Sequence, residues 1–171
     1  QRQMCIRDRI MSAILDSGNR RTFQTGAVRD IQEGKGRCDL LPLLPIYNML
    51  RDDILFCVNQ FEDSGDPKYL LEAVLQFSTE FDNSVYTMLL EVSIHFEQGA
   101  QKYGENNWQK GIPVHCYIDS AIRHYLKYKR GDDDERHDRA FVWNVLCAIW
   151  TCKVMPELNE YGVDTDDNVG A

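Results

Sequence analysis

From residue 42 to residue 154 the chain repeats one pattern: apolar residues every three or four positions, with each run closed by a Pro-, Gly- or Asp-rich turn. That spacing stacks apolar side chains on one stripe of a helix, and a stripe of this kind is stable only when buried against others. Leu43, Tyr47, Leu50, Ile54, Val58 and Phe61 predict a helix over 42–61. The DSGDP turn places Pro67 at the first position of the next, over 67–81. Val85, Leu89, Val92 and Phe96 form the buried stripe of a third, over 84–103. After a GENNWQKGIP loop, Val114, Ile118, Ala121 and Tyr125 mark a fourth, over 113–130, stopped by Gly131. Asp132, Asp133 and Asp134 are placed to cap a fifth, which runs to Val154 and ends before Pro156. With no sustained alternation for a sheet, the expected class is all-α: a bundle of about five helices.

The 171 residues fit one domain, set at 16–155, between a leader (1–15) read as non-native or disordered and an acidic tail (156–171) read as disordered. The net charge of −8 is unevenly spread: residues 1–37 carry eight Lys/Arg against four Asp/Glu, the remainder eleven against twenty-three. An acidic body is a poor ligand for duplex nucleic acid, whereas a local basic segment suits a small phosphorylated ligand. No apolar run reaches membrane-spanning length, and the first residues lack the basic segment and apolar core that mark a secretory signal. The six cysteines lack any C-x-x-C pair and read as reduced thiols, which points to the cytoplasm.

Three segments could carry chemistry. The Gly/Arg-rich arm, 16–41, holds Arg20, Arg21, Thr25, Gly26, Arg29, Lys35, Gly36 and Arg37. Glycines let the backbone turn with N–H groups exposed, and arginine forks match phosphate oxygens. GKGR is not a Walker A loop, and the same arginines could instead pair with the acidic body. HFEQGAQKYGENNW contributes Glu97, Lys102, Tyr103, Asn107 and Trp108, offering a phosphate partner and aromatic faces for a base. The third segment spans two helices: Asp119 with Arg123 and Ser120 with His124 share a face at four-residue spacing, Glu135 stands near Asp138, and His137 near Asn144. Carboxylates on facing helices, joined by Glu97, could hold one or two divalent ions, with oxygen-rich ligands favouring Mg²⁺ or Mn²⁺.

SGNRRTFQTGAVRDIQEGKGRCDLLP and HFEQGAQKYGENNWQKGIPVHCYIDSAIRHYLKYKRGDDDERHDRAFVWN together resemble the N-terminal domain of phage-type dATP/dGTP diphosphohydrolases, related in chemistry to the all-α MazG-like pyrophosphohydrolases. The resemblance implies metal-dependent hydrolysis of a deoxypurine triphosphate to monophosphate and pyrophosphate, serving control of the nucleotide pool. It implies metal-site or catalytic roles for Glu97, Asp119, His124, Glu135 and His137, with His124 catalytic and the other four also metal ligands. It implies phosphate contacts for Arg20, Arg21, Arg29, Lys35, Arg37, Lys102 and Arg123, and base or sugar contacts for Asn107, Trp108 and Asn144. The chain departs from the pattern in lacking the paired E-x-x-E motif and in carrying Arg136 where an acid is expected. Residues 50–93 fall outside the resemblance and read as a helical insertion. The alternative reading is a non-catalytic nucleotide-binding protein; a protein-interaction module ranks third. A site between helices is often completed across a dimer, so a homo-oligomer is expected.

Overall fold

A single left-handed residue divides the first expected helix in two. The computed structural model describes Ile14 and residues 18–162. In it α1 (Leu43–Leu50) stops at Arg51, whose φ of 55° turns the chain, and Asp52 caps α2 (Asp53–Ser64) by accepting from the Ile54 and Leu55 amides at 3.1 and 3.2 Å. The apolar period runs on through the break, so Leu50 and Ile54 suggest one helix where the backbone makes two. Gly65 closes α2, and α3 (Lys68–Phe77) follows Pro67 and tightens into a 3₁₀ turn at Ser78–Glu80. Ser84 caps α4 (Val85–Tyr103), its hydroxyl accepting from Thr87 N. A 3₁₀ turn at Asn107–Lys110 interrupts the next loop, after which α5 (Val114–Arg130) ends at Gly131 with φ 89°.

The last helix, α6 (His137–Val154), starts later than the aspartate run suggests. Arg136 occupies its cap position, and no side chain caps it. Asp132 instead accepts from Arg130 Nε at 2.7 Å, and Asp134 meets His137 Nε2 at 2.8 Å. Helix α6 is buried nearly all round, through Ala140, Phe141, Val142, Val145, Cys147 and Ala148, so it is the central rod of the bundle. Its main partner is α5, which contributes Tyr117, Ile118, Ala121, Ile122 and Tyr125 to the core. Phe77 of α3 meets Tyr125, Tyr128 and Phe141 edge-on, with centroids 4.7–6.0 Å apart.

Inside this core Arg139 is wholly buried and donates from Nε to Glu91 on α4 at 2.9 Å. Arg136 reaches the same carboxylate at 3.3 Å and Asp138 at 2.6 Å. Two arginines and two acids thus tie α4 to the start of α6. Breaking one arm of such a buried set costs about 3–5 kcal/mol, because the others are left uncompensated.

The glycine-rich arm folds onto the bundle as a two-stranded ribbon, β1 (Arg20–Thr22) against β2 (Val28–Asp30), antiparallel with Arg21 opposite Arg29. Asn107 fastens it: its carboxamide accepts from Val28 N at 2.9 Å and donates to Val28 O at 2.8 Å. The Thr25 hydroxyl donates to Gly111 O, holding the hairpin tip.

At the other end, residues 156–162 pack rather than trail away. A 3₁₀ turn covers Pro156–Leu158, Asn159 Nδ2 donates to Gly65 O at 2.9 Å, and the Tyr161 ring lies 5.2 Å from Phe61. The first part of the expected acidic tail is therefore structural; its remainder, 163–171, and the leader apart from Ile14 lie outside the described residues. No described helix is long and apolar enough to cross a membrane.

Candidate functional site

A cavity of about 890 Å³ opens between the hairpin, the second half of α4, the loop after it, and the facing surfaces of α5 and α6. That is within the range of small-ligand sites, roughly 300–1,000 Å³.

One wall is cationic, and the hairpin register explains why. Cross-strand neighbours share a face of a ribbon, so Arg21 and Arg29 both project toward the bundle. Like charges placed directly opposite destabilise a ribbon unless something else rewards them. Neither guanidinium has a carboxylate within ion-pair distance among the described residues. Arg29 Nη2 donates to Ser120 Oγ at 3.0 Å and to Asn144 Oδ1 at 2.8 Å, and its guanidinium lies 4.9 Å from the Tyr117 ring. Arg29 Nη1 is buried without an acceptor. Arg21 Nη2 donates to Cys116 Sγ at 3.0 Å, and its Nε likewise lacks an acceptor. Lys35 stands close enough to Arg123, Lys102 and Arg29 that burial and these cations lower its pKa.

The other expected cations divide. Arg123 lines the cavity while bonding Lys35 O, Gly36 O and the Asp119 carboxylate. Lys102 is turned to Asp30 at 3.0 Å, Arg20 packs over the Tyr103 ring at 5.4 Å, and Arg37 is exposed and paired with Asp39. These last three do not reach the cavity. Arg37 and Lys102 thus pair with aspartates of the arm itself, Asp39 and Asp30, and pairing of the arm with the acidic body accounts for none of Arg21, Arg29 and Arg37.

The second feature is a titratable cluster at the start of α6. His124 Nδ1 and His137 Nδ1 are 2.9 Å apart, and ligand atoms of His124, Glu135 and His137 all lie within 4.8 Å of one another. Asp134 holds His137 Nε2 at 2.8 Å, which leaves the Nδ1 lone pair facing His124, the orientation a carboxylate commonly enforces on a metal-binding histidine. Burial, then the neighbouring His137, pushes the His124 pKa well below its usual range. Burial, with the Asp134 carboxylate adding to it, lifts Glu135 to about 7. Two imidazoles and a carboxylate fit a divalent ion that takes nitrogen as well as oxygen. That matches Mn²⁺ better than Mg²⁺, which prefers oxygen throughout.

Two expected ligands stand apart from this cluster. Glu97 is exposed on α4 and does not line the cavity. Asp119 is 2% exposed and lines it, but its oxygens are taken by Arg123 and by the Cys38 amide at 2.6 Å. Arg136, where an acid was expected, belongs to the buried Glu91 network and not to the His–Glu cluster.

The third wall is aromatic. Phe96 meets Trp108 at 5.6 Å and Trp143 at 5.8 Å, and all three line the cavity. Trp108 also packs on Trp150 at 5.0 Å, so it is core plug and cavity wall together. Asn144 lines the cavity through its bond to Arg29, whereas Asn107 spends its carboxamide on the hairpin. Sequence reasoning missed His95, Trp143 and Lys127 as cavity residues. Lys127 was readable, since Ser120, Arg123, His124 and Lys127 recur at three- and four-residue spacing along one face of α5.

The fold and site define a helical-bundle protein with a ligand-sized cavity walled by unpaired arginines, aromatic rings and a His–Glu cluster. The model of the family described as dATP/dGTP diphosphohydrolase, N-terminal, matches residues 62–161, more than half of the chain, and the chain belongs to that family. The matched span includes residues 62–93, part of the stretch read as an insertion, and begins after the hairpin. No curated protein and no solved structure matches the chain.

Proposed function

We propose that the chain hydrolyses purine deoxynucleoside triphosphates to the monophosphate and pyrophosphate in this cavity, as the family's name suggests. The observation that carries the reading is the paired Arg21 and Arg29, set side by side on a ribbon, facing the cavity and without carboxylate partners. Two guanidiniums held by neutral groups keep their full charge for an anion, and Arg29 retains a buried, unmatched donor for a phosphate oxygen. The aromatic wall offers faces on which a base stacks.

His124, Glu135 and His137 would hold a divalent ion, which when bound supplies Lewis-acid polarisation of a phosphoryl oxygen and acidifies water. The chain's own residues do the rest. His124, kept neutral by burial, can move its Nδ1 proton, which in the empty cluster faces His137, to Nε2 and so offer a lone pair rather than a charge. Asp134 fixes the ring of His137, and Arg29 and Arg123 orient the polyphosphate. Product analysis tests this: dATP and dGTP incubated with Mn²⁺, Mg²⁺ or chelator should yield monophosphate and pyrophosphate only with metal. Binding without turnover under every metal condition would replace hydrolysis with nucleotide sequestration.

A further inference from the structure

His95 is a buried polar group that phosphate binding leaves without a role. It projects from α4, is 6% exposed and lines the cavity, and neither ring nitrogen hydrogen-bonds to a described residue. Its imidazole leans on the Trp143 indole, with centroids 5.7 Å apart at 49°, at the edge of the wall formed with Phe96 and Trp108. Buried polar groups are normally matched, and one left open on a cavity is completed by what enters it.

Charge narrows what that is. Burial, and next the Arg139 guanidinium, hold His95 down to about 4, so it is neutral at physiological pH. A neutral imidazole contributes little to holding phosphate, and the hairpin arginines and Arg123 already serve that end. It offers one N–H and one lone pair, and with neither nitrogen engaged, either tautomer is open to it.

Building on the nucleotide reading of the cavity, we propose that His95 is a specificity-determining residue that hydrogen-bonds the C6 substituent of a purine seated on the Phe96–Trp108–Trp143 wall. Its lone pair accepts from the amino group of adenine; its N–H, in the other tautomer, donates to the carbonyl oxygen of guanine. A histidine pinned by a backbone carbonyl would choose between those bases. An unpinned one serves both, which gives a physical basis for a site that accepts two purines with opposite hydrogen-bonding edges.

The test uses dATP, dGTP and the 2′-deoxy triphosphate of unsubstituted purine, which carries hydrogen at C6, on the native chain, His95→Phe and His95→Asn. Calorimetric affinity is measured in every case, with KM and kcat wherever turnover occurs. The native chain should bind the C6-hydrogen analogue about tenfold more weakly than dATP or dGTP, the net size of one neutral hydrogen bond that water can replace. His95→Phe should bring all three ligands to that weaker level with kcat little changed, and His95→Asn, which keeps a donor and an acceptor, should recover most of the loss. Equal affinity of the native chain for the analogue overturns the proposal without recourse to any variant. A fall in kcat at unchanged KM in His95→Phe would assign the imidazole to water activation, and an equal loss for the analogue would assign it to the sugar or to packing; either overturns it. A native chain that binds no purine triphosphate sinks the nucleotide reading and this inference together. Binding that is indifferent to both His95 and the C6 group sinks the inference alone.

Discussion

Arg29→Lys separates the two things Arg29 does, because it keeps the charge and removes the fork. In the folded chain the guanidinium makes two charge-assisted bonds, to Ser120 Oγ and Asn144 Oδ1, and covers the Tyr117 ring. Hydrogen bonds to charged groups are each worth about 1.5–3 kcal/mol, with the upper end reserved for fully dry sites. Ser120 and Asn144 both border the cavity, so water can replace the lost donor at either. A lysine also recovers part of the cation–π contact. The net loss should therefore be about 1–2 kcal/mol, which for a chain of this size lowers Tm by about 2–8 °C. The effect on ligand should be larger than on stability. A lysine ammonium acts as a point charge and cannot span two phosphate oxygens from a fixed plane. KM for dATP should rise at least tenfold, the equivalent of about 1.4 kcal/mol. Thermal denaturation without nucleotide and initial rates of pyrophosphate release provide the two readouts. A variant that loses the predicted stability but retains native KM would refute the reasoning: Arg29 would then be a strut between the hairpin and the bundle, and the carboxylate-free arginine pair would not be a phosphate site.

Other consequences can be checked on the same protein. If His124, Glu135 and His137 hold Mn²⁺, then Mn²⁺ at a hundred times its Kd should stabilise the chain by about 2.7 kcal/mol, and His137→Ala should abolish that shift while a Glu97→Ala variant keeps it. Glu62 is pushed up to about 8 by burial and then by Asp39 and Asp63, and its Oε1 has no partner. The folded chain therefore holds a proton there that the unfolded chain releases above the usual carboxyl value of 4.5, so stability should fall as pH rises from about 4.5 to 8. Glu62→Gln should be nearly neutral at pH 5 and stabilise by about 1–2 kcal/mol at pH 9, a figure discounted for the part of the group that stays wet; urea midpoints at the two pH values decide it. Gly65 has φ +67°, and a Cβ there would lie 2.3 Å from Tyr161 O. Gly65→Ala should cost about 2 kcal/mol or more, from the left-handed backbone and the clash together, and the cost should shrink in a chain truncated after residue 155. An unchanged penalty in the truncated chain would mean that residues 156–162 contribute nothing to holding Gly65.

The helices were legible because their evidence is local. Pro67, with its φ preset, and Gly131, free to take a positive φ, bound helices where the sequence suggests, Pro67 at the cap of α3 and Gly131 after α5. The two errors of extent have the same physical origin. Asp52 and the Asp132–Asp134 run are all credible caps, and whether an aspartate caps depends on what else competes for its oxygens. Asp52 found the Ile54 and Leu55 amides, splitting a run whose apolar period was unbroken. Asp132 and Asp134 found Arg130 and His137, and α6 started without them.

The site was legible to the extent that its residues share one face of one helix. Ser120, Arg123 and His124 follow from spacing alone, and Asp119 follows with them, though as a partner of Arg123 rather than a ligand. What spacing cannot convey is which groups from different elements meet. Glu97 and His95 are two residues apart on α4, so they point in directions well over a right angle from one another. The carboxylate looks the more chemical of the two in sequence, yet it is the histidine that the bundle turns inward. The same holds across the hairpin, where Arg20 and Arg21 are adjacent and equal in sequence. The register, set by Arg21 opposite Arg29 and fastened by Asn107 to Val28, sends one toward the cavity and leaves the other on Tyr103. Since Asn107 lies in the loop after α4 and its carboxamide bonds only hairpin backbone, loss of that clamp would release both cavity arginines at once.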